Sequence, residues 1–388
     1  MTSIRDVARH AGVSTATVAR VLSGRTPVSD DLAARVRNSI AELRYVPNGV
    51  ARSLSRGRTF LLGLLVSDIA NPFSAQVARG LEDTAAQHGY HVLVGSSDFE
   101  PEREDQLLAS FAARTVDAVA LVSVSGATEA MRGLLDTSIP LVFVDRQPGA
   151  AIKAPLIRTD NLSAAHDAVA YLIGLGHRDL AMISGPATLP TASQRLQGFR
   201  TACQEAGLRL RGECVREGFL GADGGYQATR EVLALKPRPT ALFSFNNMLA
   251  VGALRALREA RVRVPRDISL ITFDDMDLFP FVNPPITAIA QPAYQIGAEA
   301  ARSLISMLAG DVFVPREVVL PTEFRPRESC APPPGASAPT ASAAGAPERP
   351  AASSSGKKEG SSSRSSSTIR TTSSTKRSGE SSSRTRAI

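Results

Sequence analysis

Cysteine is scarce in this 388-residue chain. Cys203, Cys214 and Cys330 are too few and too irregularly spaced for a disulfide framework or a metal-ligand cluster. They read as free thiols of a reducing compartment. No apolar run approaches the ~20 residues a membrane helix needs, and the chain does not open on a charged-then-apolar leader. A cytoplasmic protein with no membrane partner is expected. Walker loops, nucleophile elbows and zinc motifs are missing, and the five histidines show no ligand spacing, so nothing points to an enzyme, a metal or a cofactor.

Lysine is also rare, and the arginine that replaces it is unevenly placed. Residues 1–58 hold ten Arg, no Lys and four acids. Residues 59–330 hold 25 basic and 30 acidic residues, and residues 331–388 hold nine basic and three acidic ones. A basic head on an acidic body suits a module that meets phosphate while the body stays away from it.

The head carries a helix-turn-helix pattern. Ile4, Val7, Ala8 and Ala11 share one helical face, and Gly12 supplies a tight turn. Ser14 is placed to cap a second helix with Val18, Val21 and Leu22 inward, and Ser29 to cap a third with Leu32, Val36, Ile40 and Leu43 inward. Pro47 then opens a short segment through Leu54. From Phe60 onward, apolar strands alternate with amphipathic helices. Leu61–Ile69, His91–Ser96, Ala118–Val124, Leu141–Asp145, Leu180–Ser184, Ala241–Asn246 and Ser269–Asp274 are the strand candidates. Such alternation predicts parallel α/β sheets, and its length predicts two subdomains with ligands beyond the carboxyl ends of the strands. The Gly221–Gly225 stretch reads as a turn. Beyond Cys330 the chain turns to Pro, Ala and Gly and then to Ser, Thr, Lys and Arg, a composition that predicts disorder.

These segments together resemble the lactose-repressor/galactose-repressor family of bacterial transcription factors, from about residue 2 to about residue 328. The likeness rests on Asp6-Val-Ala, Gly12-Val-Ser-Thr-Ala-Thr-Val18, Pro47-Asn-Gly-Val-Ala-Arg-Ser-Leu54 and Asp68-Ile-Ala-Asn-Pro-Phe73. It continues through Val144-Asp-Arg146, Gly174-Leu-Gly-His177, Arg195-Leu-Gln-Gly-Phe199, Phe245-Asn246, Ile268–Asp274 and Gln291-Pro292. The resemblance implies a three-helix head over 1–46, a hinge helix and linker over 47–58, and a periplasmic-binding-protein-like core over 59–330. Within the core it implies subdomains of roughly 60–160 plus 291–320 and 161–290 plus 321–330, with 331–388 left as the disordered tail. It also implies a homodimer on palindromic double-stranded operator DNA, repressing a sugar-utilisation operon and switched by a small effector.

In helix-turn-helix docking the start of the second helix faces base edges, which places Thr15, Ala16 and Arg20 at the groove. Ser14 and Thr17 would hold phosphate or cap the helix. The alternative is that Thr15 and Ala16 are ordinary surface side chains of a first turn, and the motif favours contact. In the hinge, Leu54 matches the family's apolar wedge, Ala51 is small enough for two hinge helices to approach, and Asn48 and Arg52 can reach backbone or groove edges.

For the effector, the family pattern carries over to Asn71, Phe73, Asp145, Thr191, Arg195, Asn246, Asp274 and Gln291, with Phe219 as a displaced ring-stacking partner. Carboxylate, amide and guanidinium groups with an aromatic face suit sugar hydroxyls, so a sugar or sugar acid is expected. Structural alternatives stand beside these roles: Asn71 as a helix cap, Arg195 in an ion pair, Asp274 as the cap of a turn. Thr191 with Arg195 also matches part of a purine-type pattern, although neither aromatic stacking nor a second arginine near Leu189 is evident. Asn247 stands where the family more usually has Asp. The tail contains no leucine heptad, so a dimer rather than a tetramer is expected. A transport-type binding protein is the competing class, disfavoured by the head and the missing leader.

Overall fold

The computed structural model describes residues 2–23, 27–45, 58–149, 152–311 and 316–335. The hinge segment Pro47 to Leu54 and the tail from residue 336 onward lie outside the described residues.

The head consists of α1 (Ile4–Ala11), α2 (Thr15–Ser23) and α3 (Asp30–Glu42). Val7, Ala8, Ala11, Val18 and Val36 form its buried centre, with Ile4, Val21, Leu22, Ile40 and Leu43 around them. Gly12 turns the chain at φ +62°, and a Cβ there would meet the Arg35 guanidinium at 2.8 Å. The Ser14 hydroxyl accepts from the Thr17 N–H at 3.1 Å and caps α2. Ser29 differs from expectation. It occupies the N-cap position of α3 but makes no side-chain cap bond, and the acids Asp30 and Asp31 stand against the free N–H groups there. The complete capping box lies instead on α1, where Ser3 and Asp6 bond reciprocally.

The core holds two six-stranded sheets. The first lobe contains β1 (Leu61–Val66), β2 (His91–Ser96), β3 (Ala118–Leu121), β4 (Leu141–Val144), β5 (Leu156–Thr159) and β11 (Glu317–Leu320), in the order β11-β5-β4-β3-β1-β2. The second contains β6 (Leu180–Ile183), β7 (Val215–Arg216), β8 (Ala241–Ser244), β9 (Ser269–Phe273), β10 (Thr287–Ala290) and β12 (Glu323–Arg325), in the order β12-β10-β9-β8-β6-β7. All pairings are parallel except β10 with β12. Leu64 and Leu65 of β1 face opposite apolar clusters. Each central strand is therefore buried on both sides, which is why it reads as a continuous apolar run.

Five of these strands escape the alternation pattern. β5, β11 and β12 carry Arg158, Glu317, Glu323 and Arg325 and look polar in sequence, β7 has only two residues, and β10 is a four-residue run, Thr-Ala-Ile-Ala. The chain crosses between lobes three times, at residues 160, 291–292 and 321–322. Residues 331–335 belong to the described chain, and Ala331 is tied to the core. Its N–H donates to Ser269 Oγ at 3.1 Å, and its carbonyl lies 2.9 Å from His177 Nε2.

Helices α4 (Pro72–Gln87), α5 (Pro101–Ser110), α6 (Glu129–Asp136), α7 (Asn161–Gly174), α8 (Pro190–Glu205), α9 (Gly221–Leu233), α10 (Asn247–Glu259) and α11 (Ala293–Ala309) accompany the strands. The expected turn at Gly221–Gly225 is in fact the first turn of α9. Its glycines serve packing: a Cβ on Gly225 would lie 2.2 Å from the Leu249 carbonyl oxygen, and one on Gly252 would lie 1.9 Å from that of Ala222. The α9 and α10 backbones touch where a side chain would hold them apart. No helix among the described residues is long and apolar enough to cross a membrane.

Candidate functional site

In the head, α2 presents Thr15, Ala16, Ala19 and Arg20 outward while Val18 turns into the core. Ser14 and Thr17 bond to each other at 3.0 Å beside the helix start. Asn48, Ala51, Arg52 and Leu54 lie outside the described residues.

In the core, a narrow cavity of about 30 Å³ opens beyond the carboxyl ends of both sheets. Asn71, Phe73, Asp145, Thr191, Arg195, Asn246, Asp274 and Gln291 all line it. Phe219 does not. Its ring packs into the apolar cluster of the second lobe, where burial of an aromatic face is favourable without any ligand. Ser67, Ser74, Phe99, Val122, Arg146, Leu189 and Phe245 complete the lining. Arg146, Phe99 and Phe245 thus join the residues singled out from the sequence.

Local backbone places the two acids. Strands β4 and β9 end where Asp145 and Asp274 adopt left-handed φ values of +65° and +64°, which turn each carboxylate into the cavity at the strand end. Asp274 accepts from Gln291 Nε2 at 2.6 Å, and Gln291 Oε1 accepts from Thr159 Oγ1 at 2.6 Å, so two crossovers are bonded to the site. Arg195 stands one turn after Thr191 on α8. It donates to Asn161 Oδ1 and to the Phe245 carbonyl, both at 2.8 Å, and lies 3.6 Å from Asp274. Its guanidinium covers the Phe273 ring at 3.5 Å. Burial pushes the Asp274 carboxyl upward against the pull of Arg195. Burial also lowers the Arg195 pKa, opposed by Asp274 and then Asp145. Asn71 and Asn246 both cap helices, accepting from Phe73 N–H at 3.0 Å and Leu249 N–H at 2.9 Å.

Arg146 binds the carbonyl of Ser123 at 2.6 Å through Nε and Asp145 Oδ2 at 3.0 Å through Nη1. The far atoms of this pair, Asp145 Oδ1 and Arg146 Nη2, are buried and have no partner among the described residues, and the same holds for Thr191 Oγ1. Buried polar atoms are ordinarily satisfied, so three orphans in one cavity mark a place for a polar ligand. Arg146 and Phe245 stood in legible strand-end motifs. Phe99 had no signal, because its position depends on a left-handed loop. Elsewhere, Cys203 and Cys214 are buried free thiols, and among the described residues no group of three His, Cys, Asp or Glu side chains could hold a metal.

Comparison with known proteins follows this division of labour. Residues 3–48 match the family model of bacterial regulatory proteins of the lacI family, and residues 169–330 match a periplasmic binding protein-like domain. The transcriptional repressor CytR of Escherichia coli K12 is 34% identical over 312 residues, covering 79% of this chain and 90% of the relative. The ribose operon repressor of the same organism is 34% identical over 307 residues, covering 79% and 92%. Among solved structures, the regulator CelR in complex with cellobiose superposes with a TM-score of 0.66 at 31% identity, covering 85% of this chain and 100% of that one. The lac repressor dimer bound to operator superposes with a TM-score of 0.74 at 26% identity, covering 85% and 99%. A helix-turn-helix head joined to a two-lobed ligand-type core, shared with these repressors over nearly their full length, makes this chain a member of the LacI family of DNA-binding transcriptional regulators.

Proposed function

We propose that this regulator is a homodimeric repressor of a sugar-utilisation operon, binding a palindromic operator and released or tightened by a neutral sugar in the core cleft. The observation that carries the effector reading is the orphan set: Asp145 Oδ1 accepts from one sugar hydroxyl, Arg146 Nη2 donates to a neighbouring one, and Thr191 serves a third from the opposite lobe. Charge balance selects a neutral ligand. Arg146 is paired with Asp145 and Arg195 with Asp274, so among the described residues lining the cavity no cation is left over for the carboxylate of a sugar acid. Phe73, Phe99 and Phe245 supply apolar faces for a ring. The same rings, with Thr191 and Arg195, favour a purine as the second reading.

On the DNA side, Thr15, Ala16 and Arg20 read base edges while Ser14 and Thr17 hold phosphate. Asn48, Ala51, Arg52 and the Leu54 wedge act in a hinge that is too short to be helical alone and folds on a bent operator. Exposed apolar side chains support a self-association surface: Phe281 is 84% and Leu278 64% exposed, and Leu93 and Val94 are exposed on the edge strand β2. The test is fluorescence anisotropy on an operator selected from random duplexes, at fixed salt, against a panel of pentoses, hexoses, sugar acids and purines. A neutral sugar is expected to shift operator affinity where sugar acids and purines do not. Leu54→Ala is expected to weaken operator binding while sugar affinity stays unchanged, and analytical ultracentrifugation is expected to show a dimer.

A further inference from the structure

Two contacts join the lobes across the mouth of the cleft. The first is polar. Asn247 is fully buried at the start of α10 and donates from Nδ2 to Asn71 Oδ1, at the start of α4, over 3.0 Å. Backbone donors fix the orientation of both amides. Asn71 Oδ1 must accept, because it also takes the Phe73 N–H at 3.0 Å, and Asn247 Oδ1 must accept, because it takes the Met248 N–H at 2.7 Å. An amide at 247 satisfies this arrangement, whereas an ionised carboxylate there would set an acceptor against an acceptor. Asn247 is not among the cavity-lining residues.

The second contact is apolar. Phe99 follows β2 in the first lobe, yet its side chain packs against the apolar cluster of the second lobe that contains Leu189 and Phe245. It reaches across because Asp98 and Phe99 both hold left-handed backbone, at φ +52° and +61°. For a bulky residue this conformation is costly and persists only where surrounding contacts enforce it. Here Phe99 N–H donates to the Ser67 carbonyl at 3.0 Å, while the Asp98 carboxylate is bonded by Ser96 and Arg103.

We propose that Phe99 and the Asn71–Asn247 pair form a clasp that sets the balance between open and closed core, and that Asn247 thereby tunes effector affinity from outside the cavity lining. Asn247 is a positioning residue in this scheme. The consequence for effector response rests on the sugar reading of the cleft, whereas the clasp itself does not.

The experiment uses the full-length protein and compares wild type with Asn247→Asp, Phe99→Ala and Phe99→Leu. Hydrogen exchange without ligand reads lobe opening directly. In Asn247→Asp and Phe99→Ala, exchange is expected to quicken about tenfold in the facing segments 71–74, 97–100 and 186–192, and to stay unchanged in the central strands. Calorimetric titration with ribose is expected to show about tenfold weaker binding in Asn247→Asp, because the ligand must now draw on a smaller closed population. Phe99→Leu, which keeps an apolar side chain on the second lobe, is expected to hold exchange close to the wild-type rate. Unchanged exchange in the two disruptive variants overturns the clasp. So does an increase spread evenly over both sheets, which would mark a merely structural role. Should wild type bind neither ribose nor any other sugar of the panel, the effector reading fails, and the exchange comparison still decides the clasp.

Discussion

Replacing Arg195 by Met tests the electrostatic logic of the cleft. Arg195 and Asp274 are buried and 3.6 Å apart, and the same guanidinium satisfies Asn161 Oδ1 and the Phe245 carbonyl. Removing the cation leaves a buried carboxylate with Gln291 as its hydrogen-bond donor, a loss of about 3–5 kcal/mol for one partner of a buried pair. Neutralising the acid as well, in Arg195→Met/Asp274→Asn, is expected to recover about half of that loss, since the uncompensated charge disappears while Asn161 and Phe245 remain unsatisfied. The pH dependence carries a sign. Burial already raises the Asp274 pKa, and the single variant raises it further. A raised carboxyl pKa means that the folded state binds the proton more tightly than the unfolded chain does. The penalty is therefore full above the folded value and shrinks as pH falls toward the ordinary carboxyl range. Urea unfolding at pH 7.5 and pH 5 measures both effects. A loss below about 1 kcal/mol, or one that is the same at both pH values and in the double variant, would refute the reasoning.

Three further outcomes are expected. Arg146→Met should weaken sugar binding about tenfold to a hundredfold by calorimetry, since it removes a charged donor and loosens Asp145, with operator affinity in the absence of sugar little changed. Burial lowers the His177 pKa, so His177 favours its neutral form in the fold. The stability this provides is present above about pH 6.5 and is lost as pH falls below it, and a His177→Gln variant should flatten the urea midpoint between pH 7.5 and 5.5. Gly252→Ala would place a methyl 1.9 Å from the Ala222 carbonyl oxygen, and a fall of several degrees in melting temperature is expected, about 2–3 kcal/mol of overpacking.

Much of this protein was decided locally and could be read along the chain. Val7, Ala8, Val18 and Val36 lie at helical spacing and make the head core, while runs such as Leu61–Val66 are apolar throughout because a parallel strand is buried on both faces. Strand-end polar residues were legible for the same reason: a polar group that follows an apolar run emerges at the edge of the sheet, as Asp145, Asn246 and Asp274 do. Other features depend on partners far away in sequence and leave no local trace. β5 and β11 look polar in sequence, and β11 becomes a strand by pairing with β5, 161 residues earlier in the chain. Gly221 to Gly225 reads as a turn until Gly252 brings α10 against it. Phe219 and Phe99 are both rings beside polar loops, yet one is absorbed by its own lobe and the other spans the cleft. The sequence set the head, the alternation and most of the cleft's chemistry through nearest-neighbour physics. Which side chains meet, and which buried atoms are left without partners, was set by how the two lobes close on each other, because such contacts exist only once the chain has brought distant residues together.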